Sequence, residues 1–191
     1  YAISKIEGEK EVKKNFKHSV ILKPSLVYSV DDNFTTNFMT LLNLLPIMPL
    51  YYEGKTKFTP IHVTDMTSII FEIVNRKVTD QVIECVGPEE LSFKEIIIKI
   101  LKSIDKKRLL IPIPILIAKI FAKLFEIMPK PILTTDQLKL LKYNNIVSGK
   151  NITNFDLGFS SNKKFENEIE KYSFSWRNGG QYSKKDISIN N

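Results

Sequence analysis

The sequence of 191 residues predicts an α/β fold. Segments with the composition of helices alternate with short runs rich in β-branched residues, of which residues 18–29 and 81–86 are the clearest. Hydrophobic residues make up 43% of the chain and charged residues 26%, which is typical of a globular protein. A chain of this length can form one domain with its own core, or parts of two.

The first third of the chain predicts a helix, a strand and a second helix. Residues 1–16 consist of good helix formers throughout. Residues 18–29 predict a buried strand that runs into a loop. Residues 31–45 predict a helix with Asp32 or Asn33 near its N-terminal cap, and two prolines then break the helical pattern.

The middle of the chain carries two further helix starts. After a short extended stretch at residues 57–63, Thr64 can cap a helix that ends near Arg76, with Asp65 favourable in the first turn because it is acidic. A strand follows at residues 81–86. Ser92 and Glu95 then have the spacing of a capping box, which predicts a helix that ends near Ile104.

The last third predicts two more helices, at residues 115–128 and from about Thr134 to Asn144. The first has only a narrow stripe of charged residues. It is therefore either a helix buried on most sides or a docking face for a membrane surface. Near the end of the chain we expect Trp176 and Arg177 to pack back on the body of the protein. The polar tail after Ser183 is expected to fray.

Composition excludes several classes of function. The net charge is +7, but only three of the 28 basic residues are arginines and the lysines are interspersed with acids, which argues against nucleic-acid binding. Cys85 and the two histidines are too few for a disulfide framework or a zinc site, and a reducing compartment fits best. The longest uncharged apolar run, residues 109–118, is too short to span a bilayer.

Tyr1 and Lys5 have the spacing of a catalytic pair. They lie one helical turn apart and project from the same face. A free tyrosine titrates near pH 10, roughly, and an adjacent ammonium lowers that pKa toward the range where the phenol can exchange a proton. Without further context, an exposed helical pair is the simpler interpretation of this spacing.

The surrounding residues supply that context. YAISK at residues 1–5, followed by KPSLVYS at residues 23–29, resembles the extended short-chain dehydrogenase/reductase family, in which a Tyr-x-x-x-Lys helix precedes a strand that ends in an Arg-Pro-Ser/Gly-x-Val-Tyr/Phe-Gly motif. Residues 58–70 resemble the family's next segment, Pro-Val-x-Val-x-Asp-Val-Ala. Lys23 stands where the family usually has arginine, and Ser29 where it usually has glycine, so the loop after the strand can differ in shape.

This resemblance implies a fold and a set of site residues. The chain would form the C-terminal part of a doubly wound NAD(P)-binding Rossmann fold, about residues 1–75, plus a small helix-rich C-terminal region, about residues 76–191. Tyr1 would be the proton donor and acceptor, and Lys5 would bind the ribose of NADP(H) or NAD(H). The backbone of four further residues would line the nicotinamide: Pro24, Ser25, Leu26 and Val27.

None of the seven glycines forms the glycine-rich fingerprint that holds a dinucleotide pyrophosphate. Because the sequence also begins at Tyr1, within a helical pattern, we expect the chain to continue a longer protein whose upstream part carries that fingerprint. The chain alone should then lack activity. The catalytic serine or threonine that usually precedes the tyrosine in this family would lie upstream as well.

Within the family, the resemblance is nearest to the nucleotide-binding accessory subunit of respiratory complex I and its bacterial relatives. The Thr-Asp-Gln-x-x-x-Leu pattern of residues 135–141 and YSFSWRNGGQY at residues 172–182 are typical of them. Two functions follow as expectations: oxidoreductase or epimerase chemistry on an unidentified small molecule, or a non-catalytic role in complex I or quinone biosynthesis. The second implies association with complex I or a membrane surface. The expected location is the cytoplasm, or the periphery of the inner membrane on its matrix side.

Overall fold

The computed structural model describes residues 2–114 and 141–182. Its helices and strands alternate along the chain, which confirms the predicted α/β class. The α-helices of this part are α1 (Ala2–Asn15), α2 (Thr35–Leu44), α3 (Val63–Asn75), α4 (Phe93–Ser103) and α5 (Phe165–Glu170). The strands are β1 (Ile21–Pro24), β2 (Val27–Tyr28), β3 (Ile47–Leu50), β4 (Lys57–Phe58), β5 (Ile61–His62), β6 (Val82–Cys85), β7 (Leu91–Ser92), β8 (Leu109–Pro112) and β9 (Ile152–Thr153). Short 3₁₀ turns cover Tyr51–Gly54, Ser173–Trp176 and Gly180–Tyr182.

A parallel sheet joins strands from distant parts of the chain in the order β1, β6, β9. Ile21 pairs with Val82, and Ile83 pairs with Ile152. All-parallel pairing is typical of doubly wound folds, whose helices cover the sheet faces. Since β6 and β9 lie beyond residue 75, the two predicted regions share this sheet, and the boundary between them stays a prediction.

The remaining strands form three two-stranded sheets. β2 pairs with β5 and β3 with β8, both parallel, while β4 and β7 are antiparallel. The two prolines at positions 46 and 49 end the helical pattern as predicted, but they do not prevent a strand, because β3 contains Pro49. Among the described residues, β3 pairs with one strand only, β8, so its other edge is open. A proline has no backbone N–H, and at an open edge this absence costs no hydrogen bond between strands.

The buried apolar side chains fall into two clusters. The larger one lies where α2, α4 and α5 pack together, with fully buried residues such as Phe93, Ile97 and Phe165. The smaller one joins α3 to the three-stranded sheet and includes Ile69 and Ile83. Each helix that contributes to a cluster turns its apolar stripe toward it, as amphipathic helices do.

Helix starts follow the predicted signals with one correction. The capping box of α4 is confirmed, because the Ser92 hydroxyl accepts from the Glu95 amide at 3.2 Å and the Glu95 carboxylate accepts from the Ser92 amide at 2.7 Å. The Asp32 carboxylate accepts from the first amides of α2, as expected. The predicted cap of α3 is wrong. His62 caps this helix, and its Nδ1 accepts from the Thr64 amide at 3.3 Å.

The end of the described chain is fastened to α4 and α2, which confirms the predicted packing of Trp176 and Arg177. The Arg177 side chain is buried, and its Nε donates to the Ser103 carbonyl at 2.7 Å. The Trp176 indole donates to the Thr40 hydroxyl at 2.9 Å. The bond from Arg177 satisfies an open carbonyl at the end of α4, and the bond from Trp176 links the segment to α2.

The predicted helix at residues 115–128 and the tail after residue 182 lie outside the described residues. Of the helix predicted up to Asn144, only residues 141–144 are described, and they form a turn instead. Within the described ranges, every helix is too short or too polar to cross a lipid bilayer.

Candidate nicotinamide site

A groove of about 800 Å³ separates α1 from β1. Residues 16–20 connect the two elements, so they run in opposite directions and the N-terminal turns of α1 lie beside the carboxyl end of β1. Lys5 and Pro24 both line this groove and are exposed. In α/β sheets, ligands bind at the carboxyl ends of parallel strands.

An ion pair fastens the helix to the strand along this groove. The Lys23 ammonium lies 2.8 Å from the Glu9 carboxylate, which also contacts Lys13 at 2.9 Å. The hydrogen bond from Lys23, followed by that from Lys13, lowers the pKa of Glu9. Lys23 is the residue that stands where the family motif has arginine. Here Lys23 lines the groove, with its ammonium paired to Glu9 of α1.

The residues predicted to bind the cofactor have different surroundings. Tyr1 lies outside the described residues. Pro24 faces the groove, whereas Leu26 and Val27 are half-buried and pack against the larger and the smaller cluster, respectively. The Leu26 carbonyl accepts from the Ile61 amide at 2.9 Å.

Ser25 is a structural link. Its buried hydroxyl donates to the Asn145 carbonyl at 2.6 Å and accepts from the Thr59 amide at 3.1 Å. Its amide donates to the Cys85 carbonyl, which extends the pairing of β1 with β6. The structure therefore shows what the side chain of Ser25 does. A contact between its backbone and a nicotinamide stays a prediction.

The carboxyl end of β6 carries a close backbone approach that the sequence analysis missed. The Gly87 amide donates to the Thr59 carbonyl at 3.1 Å. A Cβ at position 87 would lie 1.6 Å from the carbonyl oxygen of Pro60, so only glycine fits. A Gly-Pro pair directly after a predicted strand was the available signal. Beside it, the Thr59 hydroxyl is the one buried side-chain polar atom without a partner among the described residues.

A second polar group links the sheet to the loop before β9. The buried carboxylate of Glu84, the cross-strand partner of Lys23, accepts from the Ser148 amide at 2.7 Å, the Ser148 hydroxyl and the Asn151 amide group at 2.8 Å. Burial alone would raise the pKa of Glu84, but these hydrogen bonds outweigh it and the pKa is lowered. This glutamate is a charged structural anchor of the loop.

Tyr28 and His62 form a pair at the carboxyl ends of β2 and β5. Their rings meet edge to face with centroids 5.2 Å apart, and the Tyr28 hydroxyl donates to the Lys163 carbonyl at 3.2 Å. Burial raises the pKa of Tyr28 far above its ordinary value. Burial also lowers the pKa of His62, although the carboxylate of Glu168, 4.0 Å from its Nε2, acts in the opposite direction. Neither ring lines the groove between α1 and β1.

Asp65 is in the first turn of α3, as predicted, and has a further role. Its carboxylate accepts from the Ser161 hydroxyl at 3.1 Å and from the Lys163 amide at 3.0 Å. It therefore holds the segment before α5 against the start of α3. The carboxylate of Asp65 thus has protein partners, and it does not line the groove between α1 and β1.

Comparisons with known proteins bear on the fold. No family model matches the chain. It is 23% identical over 146 residues to mouse (Mus musculus) mitochondrial NADH dehydrogenase (ubiquinone) 1 alpha subcomplex subunit 9, an alignment that covers 75% of this chain and 39% of that protein.

Solved structures share the fold. A UDP-glucuronic acid 4-epimerase from Bacillus cereus, in complex with UDP-glucuronic acid and NAD, matches 90% of this chain with a TM-score of 0.58 and 18% identity. A dTDP-4-dehydrorhamnose reductase from Bacillus anthracis, in complex with NADP, matches 90% with a TM-score of 0.60 and 17% identity. This chain covers 51% and 53% of those two chains. The predicted resemblance and the Rossmann-type fold are thereby confirmed, and the chain spans about half the length of the structures it matches.

Proposed function

We propose that this chain is the C-terminal part of an NAD(P)-binding oxidoreductase or epimerase, and that the groove between α1 and β1 is its share of the nicotinamide site. The observation that carries the proposal is the meeting of Lys5 and Pro24 in one groove at the carboxyl end of a parallel strand. The two bacterial enzymes of the same fold, crystallised with NAD and NADP, support the choice of cofactor.

The residues present fit one part of the cofactor. Lys5 is exposed on the groove and would donate to the ribose hydroxyls. The exposed Pro24 would form the wall against the nicotinamide. No glycine of this chain forms the fingerprint for a pyrophosphate, so those contacts would come from elsewhere in the full-length protein. When bound, the nicotinamide supplies or accepts a hydride.

The proton of the reaction would be moved by Tyr1. Its hydroxyl would donate to, or accept from, the oxygen of a substrate carbonyl or alcohol. The ammonium of Lys5, one helical turn away in sequence, would favour the phenolate and so lower the pKa of that phenol. Lys5 therefore has two roles, in binding and in proton transfer, whereas Tyr1 has one.

A second function rests on the similarity to the mouse complex I subunit. In this alternative the protein binds NADP(H) without turnover and stabilises a larger assembly, located at the inner membrane or in the cytoplasm. Tyr1 would then be dispensable, since only the proton transfer needs it. The two functions therefore differ in what Tyr1→Phe does.

Turnover of NADPH and NADH by the full-length protein, with a panel of quinones and sugar nucleotides, separates the two functions. We expect Tyr1→Phe to lower kcat by on the order of a hundredfold with little change in cofactor affinity, and Lys5→Met to weaken both. Lys10→Met, an exposed lysine of α1 that does not line the groove, is the control. Equal turnover by parent and Tyr1→Phe would reject the catalytic role of Tyr1, and cofactor binding by the parent without turnover of any substrate in the panel would favour the structural function. The 191-residue chain alone should show no micromolar NADPH binding in calorimetry.

A further inference from the structure

An exposed apolar patch lies at the end of α2 and on the sheet formed by β3 and β8. We call it the Leu44 patch. It consists of four side chains, exposed by 71%, 38%, 46% and 61%, respectively: Leu44, Leu45, Ile47 and Leu109. Ile47 and Leu109 are directly paired across the two strands, and the Leu109 amide donates to the Pro46 carbonyl at 3.2 Å. The patch is therefore continuous.

The outward positions of this sheet are apolar where a solvated sheet would be polar. In β3, Met48 and Leu50 point into the larger core and are 2% exposed. The alternating position Ile47 then faces outward, as does its partner Leu109. Outward positions of strands are normally polar, so this face is suited to contact an apolar phase.

Basic residues border the patch. The guanidinium of Arg108 donates to the Leu42 carbonyl at 2.8 Å and to the Asn43 carbonyl at 3.2 Å, which holds this cation at the C-terminal end of α2, next to Leu44. Residues 102–108 contain four cationic side chains and one acid, and Lys102 is ion-paired with Glu166, which leaves a net charge of +2 for this group of residues. The patch thus combines exposed leucines with a local excess of positive charge.

We infer that the Leu44 patch docks on an anionic lipid surface. Leucine and isoleucine side chains enter the boundary between headgroups and acyl chains, while adjacent lysines and arginines are attracted to anionic headgroups. The charge distribution favours this occupant over an apolar protein surface, which offers no partner for the cations. The inference is independent of the nicotinamide proposal, since α2, β3 and β8 do not line the groove between α1 and β1.

The structure offers a matched control. Phe71 and Val74 on α3 are exposed by 64% and 68%, comparable to Leu44 and Leu109. Residues 72–80 carry two acids and two bases, so this apolar surface has no excess of positive charge. If exposed apolar residues bound vesicles regardless of charge, the two surfaces would contribute equally to vesicle binding. Docking through the Leu44 patch predicts that only this patch contributes.

Co-sedimentation with vesicles tests the inference. The full-length protein should bind vesicles of phosphatidylcholine and phosphatidylglycerol in equal parts, bind pure phosphatidylcholine at least tenfold more weakly, and be released at high salt. Leu44→Ser with Leu109→Ser should weaken binding at least tenfold, and Phe71→Ser with Val74→Ser should not. Lys107→Gln should weaken it roughly fivefold, and Lys77→Gln should have little effect. Absence of binding by the parent, or equal losses in both double variants, would overturn the inference.

A fluorescent reporter covers the case in which a variant unfolds. Cys85 is fully buried, so a cysteine introduced at Leu44 can be labelled with an environment-sensitive dye in a full-length background from which any other reactive cysteine has been replaced by serine. Anionic vesicles should shift the emission of dye at Leu44→Cys to the blue and leave dye at Val74→Cys unchanged. An unshifted dye at position 44 in vesicle-bound protein would show that another surface docks and that a protein segment or partner covers the patch.

Discussion

Helices α1 and α4 differ in the contacts that stabilise them. α4 buries six of its eleven residues, starts with a capping box and packs against α2 and α5. In α1 the side chains from residue 3 to residue 15 are exposed apart from the half-buried Glu9. Isolated helices of this length are marginal in water, so α1 depends on its ion pair with β1 and on whatever occupies the groove. The proposed site helix is therefore the helix that the described core supports least.

The largest expected effect comes from removing core contacts of α4. Ile97→Ala should destabilise the protein by about 3 kcal/mol, because the side chain is fully buried and its removal leaves a cavity. Ile6→Ala in α1, where the side chain is 53% exposed, should change stability by less than about 0.5 kcal/mol. Urea unfolding measures both. Similar losses of stability in the two variants would show that α1 is packed as tightly as α4.

Replacing two different glycines by alanine should change the stability of the protein in opposite directions. Gly87→Ala should cost about 2–3 kcal/mol, because the new Cβ clashes with the Pro60 carbonyl and the backbone must move. Gly8→Ala should stabilise the protein by up to about 1 kcal/mol, since nothing lies within 4 Å of the new methyl group and alanine favours the helix. Thermal unfolding of both variants checks the signs. A gain in stability for Gly87→Ala would contradict the close approach of the two backbones.

A third contrast lies at the carboxyl end of β1. Ser25→Ala should cost about 1 kcal/mol, since it removes the hydroxyl that links the Thr59 amide to the Asn145 carbonyl and leaves these two groups only their mutual hydrogen bond of 3.3 Å. Thr59→Val keeps the shape and removes a hydroxyl that has no partner, so it should be neutral or slightly stabilising. Denaturant melts of the two variants measure the difference. A loss in Thr59→Val equal to that in Ser25→Ala would show that the hydroxyl has a partner.

The smallest effect is the pH dependence contributed by His62. Burial lowers its pKa in the folded protein below the ordinary value near 6.5, so the unfolded chain binds a proton more readily. The stability that neutral His62 contributes is fully present above pH 6.5, and it is lost as the pH falls through the lower pKa that His62 has in the folded protein. The Tm of the parent should therefore drop more between pH 7.5 and 5.5 than that of His62→Gln. An equal drop in the parent and in His62→Gln would contradict this contribution.

Local signals predicted much of the fold. The helices α1 and α4, the strand β6 and the capping box of Ser92 depend on residues within a few positions of one another, which periodicity and capping rules describe. The cap of α3 was assigned to Thr64 because hydroxyls are common caps, and the half-buried ring of His62 took that place. The pairing of β3 with β8 was missed, since prolines usually weaken strands.

The site was predictable only in part. Lys5 and Pro24 line the same groove because of a sequence motif and because the short connection between α1 and β1 reverses the chain direction. Both features can be recognised within a few neighbouring residues. The links that bury Ser25 and Glu84 join residues 120 and 64 positions apart, respectively, and no periodicity encodes such contacts. Sequence reasoning could therefore name the residues at the carboxyl end of β1, but it could not separate the exposed ones from the structural ones.

Hydrogen exchange of the full-length protein, followed by mass spectrometry with and without saturating NADPH or NADH, shows whether α1 is part of a nicotinamide site. Without cofactor, amides of α1 should exchange much faster than those of α4, because few buried contacts protect them. Cofactor should slow exchange in α1 at least tenfold and leave α4 unchanged. Unchanged exchange in α1 while calorimetry shows the cofactor bound, or no binding of either nucleotide, would contradict the assignment of the groove as part of a nicotinamide site.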